Sequence, residues 1–122
     1  IKNAKLRDAV LYIESRFDES VTLPDIAKAT GMNHTTLTAL MKEELGLTAI
    51  EYLMKYRVTV AKKQLEFTNV PIKDIANMVG FKTVQHFSRV FKAQTGATPA
   101  EFRKSAVQKR KDDLNGKQNS RA

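Results

Sequence analysis

Gln85, Ser88, Arg89 and Lys92 stand at the i, i+3, i+4, i+7 spacing that lines side chains along one face of a helix. Their chemistry is that of multipoint recognition. An arginine guanidinium donates two hydrogen bonds to guanine, and a glutamine amide pairs with adenine N6 and N7. Lys92 and the upstream Lys82 sit where phosphate contacts are expected, contacts that fix orientation without encoding sequence. A second face carries Thr35, Thr38, Ala39 and Lys42, with Thr36 and Glu43 on its flank. Threonine offers a hydroxyl to several base edges and a methyl to thymine. Polar residues on a helix are usually just solvated, so each face carries the inference as a whole.

Such faces need helices to present them. Leu37, Leu40, Met41 and Leu45 fall opposite the threonines, and Phe87, Val90 and Phe91 fall opposite Arg89, with His86 at the edge. Both candidate helices belong to an internal repeat. Val21, Asp25, Ile26, Ala27 and Gly31 return 49 positions later as Val70, Asp74, Ile75, Ala76 and Gly80. Beyond the glycines the offset becomes 50, pairing Lys42 with Lys92, Gly46 with Gly96, Thr48 with Thr98 and Glu51 with Glu101. A short helix, a glycine-bearing turn and a second amphipathic helix are the ingredients of a helix-turn-helix. The change of offset falls in or just after the turn, where an insertion costs least.

Apolar residues at 3–4 spacing predict seven helices and no strand, an all-α fold. The first covers Ala4–Phe17, with Leu6, Val10, Ile13 and Phe17 in one stripe. The second starts at an N-cap, Thr22, and stops at Gly31. A third runs from Asn33 to Leu45. Thr48 and Glu51 form a capping box that opens a long fourth helix to Phe67. A fifth lies between Pro71 and Gly80, a sixth spans Thr83–Thr95, and the box of Thr98 and Glu101 opens the seventh. Met32, Met41, Met54 and Met78 fall at apolar positions and read as core filler. The expected organisation is a first helix-turn-helix subdomain over 1–47, a linker helix over 48–67, a second subdomain over 68–104 and a basic tail over 105–122.

The net charge of +8 suits a polyanionic partner. Residues 104–122 hold 6 Lys/Arg against 2 Asp/Glu and lack apolar periodicity, which reads as a frayed helix end followed by disorder. The two repeats differ in charge. From Asn33 to Leu47, Lys42 is opposed by Glu43 and Glu44, whereas Lys82 to Ala97 carries three basic residues and no acid. The second unit is therefore expected to grip phosphates harder. Asn33, His34, Lys42, Lys82, Thr83 and Lys92 are the candidate phosphate contacts. No cysteine is present and the only imidazoles are His34 and His86, which argues against a metal site or cofactor. The chain lacks a long apolar run or a signal peptide, so it reads as soluble and cytoplasmic. It begins at Ile1 rather than Met, which reads as a fragment whose sensor or dimerisation region lies elsewhere, and as a monomer by itself.

These residues resemble the DNA-binding domain of the AraC/XylS transcription regulators. The likeness rests on Ile75-Ala76, Gly80-Phe81, the run from Phe87 to Lys92, Gly96 to Pro99, and Phe102-Arg103, with Arg57, Ala61 and Leu65 on the long helix. It covers about residues 5–103. It implies two helix-turn-helix subdomains on a linker helix, with the third and sixth helices in successive major grooves of double-stranded DNA. By position it places base contacts at Thr35, Thr38 and Ala39, then at Val84, Gln85, His86, Ser88 and Arg89. It also implies a bacterial activator that contacts RNA polymerase. Ala39 departs from the arginine common in that family, which leaves Thr35, Thr36 and Thr38 to supply polar readout in the first half.

A linker of about 20 residues is about 30 Å long, close to the ~34–36 Å repeat of grooves on one face of the duplex. Two unlike readers so spaced predict an asymmetric operator. A rival class is a helical protein-interaction module whose basic charge is incidental. An enzyme is disfavoured: there is no cysteine, clustered histidine or Gly-rich phosphate loop. Ser88 and His86, at i, i+2, do not face each other.

Overall fold

The structure, a computed structural model, describes residues 3–120. Among the described residues there are seven α-helices and no strand. They are α1 (Ala4–Arg16), α2 (Leu23–Thr30), α3 (His34–Leu45), α4 (Ala49–Phe67), α5 (Ile72–Met78), α6 (Val84–Thr95) and α7 (Pro99–Ser120). The chain divides into two compact units, the first ending at Thr59 and the second beginning at Val60, so that α4 runs through both. Residues 1–2 of the expected first subdomain and 121–122 of the expected tail lie outside the described residues.

Local chemistry sets the helix ends. The Thr22 N–H donates to Asp25 Oδ2 at 2.9 Å, and the Asp25 N–H donates to Thr22 Oγ1 at 3.3 Å, which opens α2. The same reciprocal pair opens α4 through Thr48 and Glu51, at 2.8 and 3.1 Å. Thr98 and Glu101 repeat it for α7 at the same two distances.

The turn between α2 and α3 depends on Gly31, whose φ of 69° is left-handed. That conformation lets the Met32 N–H reach the Ala27 carbonyl at 3.2 Å and buries the Met32 side chain. Two residues past the helix end, an apolar side chain thus closes the turn against the core. The second unit repeats the device with Gly80, at φ 97°, and the buried Phe81, whose N–H reaches the Ala76 carbonyl at 2.9 Å.

Each unit has its own core, sharing the buried pair Ile26-Ala27 and Ile75-Ala76 and filling other equivalent positions with different residues. In the first unit Leu6, Ala9 and Ile13 of α1 pack with Ile26, Met32, Leu37, Met41 and Leu53. Phe17 is half-buried and sets its ring edge against Tyr56, 5.2 Å between centroids. In the second unit Phe81, Phe87, Phe91 and Phe102 replace Met32, Leu37, Met41 and Tyr52. Their rings follow one another at centroid distances of 5.3, 5.6 and 5.4 Å. An arginine adds a long-range tie to each unit, one buried and the other half-buried. Arg57, 5% exposed, donates from Nε to the Phe17 carbonyl at 2.7 Å and from Nη2 to the Glu19 carbonyl at 2.8 Å. Burial pulls its pKa down from the ordinary arginine value. Arg103 does the same work at the end of α4, reaching the Leu65 and Thr68 carbonyls at 3.1 and 3.2 Å.

One expectation is corrected. Met78 is 47% exposed and is not core filler, because Ile75, Ala76 and Val79 occupy the buried stripe and leave it outside. Met32 and Met41 are buried, and Met54 is half-buried. In the basic tail, α7 runs as far as Ser120 among the described residues. Seven of the eleven residues from Lys104 to Leu114 are strong helix formers, no glycine or proline interrupts before Gly116, and Gln108 Nε2 donates to Asp112 Oδ1 one turn on, at 2.9 Å.

Gly31→Ala should destabilise the chain by about 1–2 kcal/mol through the left-handed backbone alone, since a Cβ there meets nothing within 4 Å. Urea unfolding checks this, and an unchanged midpoint would contradict the turn. The carboxylates of Asp25, Glu51 and Glu101 are held below their ordinary range, first by the cap threonine's N–H and then by its hydroxyl. A depressed carboxylate contributes stability above its unfolded pKa and loses it as pH falls through the folded value. The urea midpoint should therefore drop below about pH 4. The drop should be smaller in the Asp25→Asn, Glu51→Gln, Glu101→Gln triple variant.

Candidate nucleic-acid interface

The two candidate faces lie on α3 and α6, the helices that follow the glycine turns. Each begins with a capped N-terminus. Asn33 Oδ1 accepts the Thr36 N–H at 2.8 Å, and Thr83 Oγ1 accepts the His86 N–H at 3.1 Å. Asn33 and Thr83, read from sequence as phosphate contacts, therefore have a first role in fixing where α3 and α6 start.

On α3, His34, Thr35, Thr38 and Ala39 are exposed and together line one shallow depression. Thr36 is exposed beside them. Lys42 is exposed too, but its Nζ lies 3.3 Å from Glu51 Oε1, the capping-box carboxylate of α4. Its charge is thus partly answered within the chain. That partner was not apparent in the sequence, where Glu43 and Glu44 seemed the opposing acids.

On α6, Gln85, Arg89 and Lys92 are exposed, and Val84, His86 and Ser88 are half-buried. The His86 ring is held edge-on against Phe81, 5.2 Å between centroids, so a core residue of the turn orients it. Lys82, Thr83 and Gln85 share a cleft with Lys73 and Asn77 of α5. Sequence reading missed Lys73 and Asn77. The signal was available, because both sit on the polar side of α5, opposite Ile75, Ala76 and Val79. Neither residue has a counterpart of its own type in the first repeat, where Pro24 and Lys28 stand.

The structure thus collects the sequence-predicted residues of each unit on one helix and its entry turn. Among the described residues no group of three or more His, Cys, Asp or Glu side chains is placed to hold a metal ion. None of the described helices is long and apolar enough to cross a membrane. Two glycine-turned helix pairs with polar outward faces define a helix-turn-helix protein.

Comparison with known proteins places it further. A family model described as a helix-turn-helix domain matches residues 26–105. The arabinose operon regulatory protein of Escherichia coli (strain K12) is 32% identical over 109 residues, 88% of this chain and 37% of that protein. The bifunctional transcriptional activator/DNA repair enzyme AdaA of Bacillus subtilis (strain 168) is 37% identical over 105 residues, 86% of this chain and 49% of that protein. The C-terminal domain of AraT, a response regulator from Geobacillus stearothermophilus, superposes with a TM-score of 0.81 at 33% identity, covering 84% of this chain and 86% of that one. The DNA-binding domain of AdpA, solved with a target DNA, shares the fold at a TM-score of 0.83 and 21% identity, over 88% of this chain and 97% of that one. The chain belongs to the AraC family of helix-turn-helix transcription regulators. It spans less than half the length of these curated relatives.

Thr83→Ala should cost about 1 kcal/mol of stability by removing the α6 cap, and Asn33→Ala should do the same for α3. Urea unfolding without any ligand reads both. No change in either midpoint would leave these side chains without a capping role.

Proposed function

We propose that this chain is a sequence-specific reader of double-stranded DNA in a bacterial transcription regulator, using α3 and α6 as its two recognition helices. The observation that carries this reading is the outward face of α6. Gln85, Arg89 and Lys92 are exposed there, and no acidic residue occurs from Lys82 to Ala97. Arg89 supplies two donors suited to guanine O6 and N7, and Gln85 suits adenine. Val84, His86 and Ser88 complete the base-facing set beside them. Lys82, Thr83 and Lys92, joined by Lys73 and Asn77 across the cleft, suit phosphates, as do the N–H groups of a capped helix start.

In the first unit Thr35, Thr36, Thr38 and Ala39 are the base-facing residues, with Asn33 and His34 toward phosphate. Lys42 has the weaker phosphate role, because Glu51 competes for it. The 19 residues of α4 span about 28 Å. A helix of that length suits two readers in successive major grooves, which recur every ~34–36 Å on one face. Two unlike faces on one chain favour an asymmetric operator. We take the chain to belong to an activator acting in the cytoplasm, with RNA polymerase as its further partner. The activator role is supported by a relative, AdaA being a transcriptional activator by name; the polymerase and the cytoplasm follow from that role as part of the proposal.

Arg89→Ala should cost about 1–3 kcal/mol in binding and relax preference at one base pair. Lys92→Ala should instead weaken every duplex alike and lower the slope of log K against log salt by about one. Fluorescence anisotropy across a salt series separates the two. Equal losses from Arg89→Ala on all sequences would make Arg89 a phosphate contact. An unchanged slope in Lys92→Ala would remove Lys92 from the interface.

A further inference from the structure

The depression on α3 differs in kind from the cleft on α6. His34, Thr35, Thr38 and Ala39 line it, and none of them carries a lysine or arginine charge or a long side chain. It exists because position 39 is alanine. In the equivalent place on α6 stands Arg89, whose side chain projects outward. The threonines here are also differently employed from others in the chain. Thr30, Thr59, Thr68 and Thr95 turn their hydroxyls back onto the carbonyl four residues earlier. Among the described residues, Thr35 and Thr38 make no such bond, so their hydroxyls stay available beside a small apolar floor.

In the major groove one group matches a shallow dish floored by a methyl and rimmed by hydroxyls: the C5-methyl of thymine, with its O4 acceptor next to it. We propose that the depression over Ala39 is a thymine-methyl subsite. The first unit then selects A·T pairs by apolar contact and the threonine hydroxyls, while the second selects by the hydrogen bonds of Gln85 and Arg89. This rests on the reading of α3 as a recognition helix and names what it recognises. Burying one methyl group corresponds to a three- to five-fold change in affinity.

The test uses the whole chain and the duplex it retains best from a randomised pool. Each thymine is replaced singly by uracil, which pairs identically and lacks only the methyl. Loss of preference in Arg89→Ala marks the segment read by the second unit, and the remaining segment belongs to the first. The expected result is a three- to five-fold loss at one or two thymines of that remaining segment. Ala39→Arg, a substitution at an exposed helical position, fills the dish and should abolish the uracil effect. If selective binding persists but no uracil in that segment matters, the subsite is wrong while the DNA reading stands. A uracil effect that survives unchanged in Ala39→Arg places the methyl elsewhere and also overturns the subsite. If the pool yields no preferred duplex, the DNA reading itself fails and the subsite with it.

Discussion

Everything presented by α3 and α6 depends on a hydrogen bond made just outside the helix that precedes each of them. At Gly31 and Gly80 the backbone turns left-handed, and the next N–H reaches back to a carbonyl five residues earlier. The residue donating that bond is apolar and buried, Met32 in one unit and Phe81 in the other. A turn closed from both sides, by a backbone bond and by burial, leaves little freedom in the direction the next helix takes. The polar face of that helix is aimed as a consequence. Asn33 and Thr83 then fix the residue at which each helix starts, and so the rotation of every side chain along it.

On this shared frame the two units have diverged in what holds them and in what they present. The first packs aliphatic and methionine side chains, and the second packs a run of phenylalanines that also steadies His86 from below. Their electrostatics differ more. Lys42 lies 3.3 Å from Glu51, and the equivalent Glu101 acts on Lys92 through its charge; the difference lies in the helices themselves, since α3 carries Glu43 and Glu44 and α6 carries no acid. On the proposed reading, a weakly charged face with a shallow apolar dish and a strongly charged face with hydrogen-bonding side chains would make complementary demands on a duplex. One chain combining them has no internal reason to prefer a palindrome.

What the sequence made legible was local. Thr48 with Glu51 and Thr98 with Glu101 lie three residues apart, so the pattern itself states the bond. The division of α3 and α6 into buried and outward faces follows from helical spacing, and the exposure of Thr35, Thr38, Gln85 and Arg89 agrees with it. The illegible parts join distant residues. Arg57 caps carbonyls 38 and 40 positions away, and Arg103 reaches back 38 to Leu65. The two do this from positions that the repeat does not equate, so self-comparison could not reveal the shared role. Lys42 meets Glu51 across an inter-helix turn, where adjacent Glu43 and Glu44 drew attention instead. Met78 misled because an apolar residue type was read without asking whether its neighbours had already filled the buried stripe.

The central claim is that both units read bases in one duplex. Selection from a randomised duplex library at ~150 mM salt, a concentration that suppresses purely electrostatic binding, tests it most directly. The account predicts an asymmetric motif of two segments centred about 10–10.5 base pairs apart, one richer in A·T pairs and one containing guanine. Retention without any sequence enrichment would contradict it, leaving only the attraction of a basic protein for phosphate.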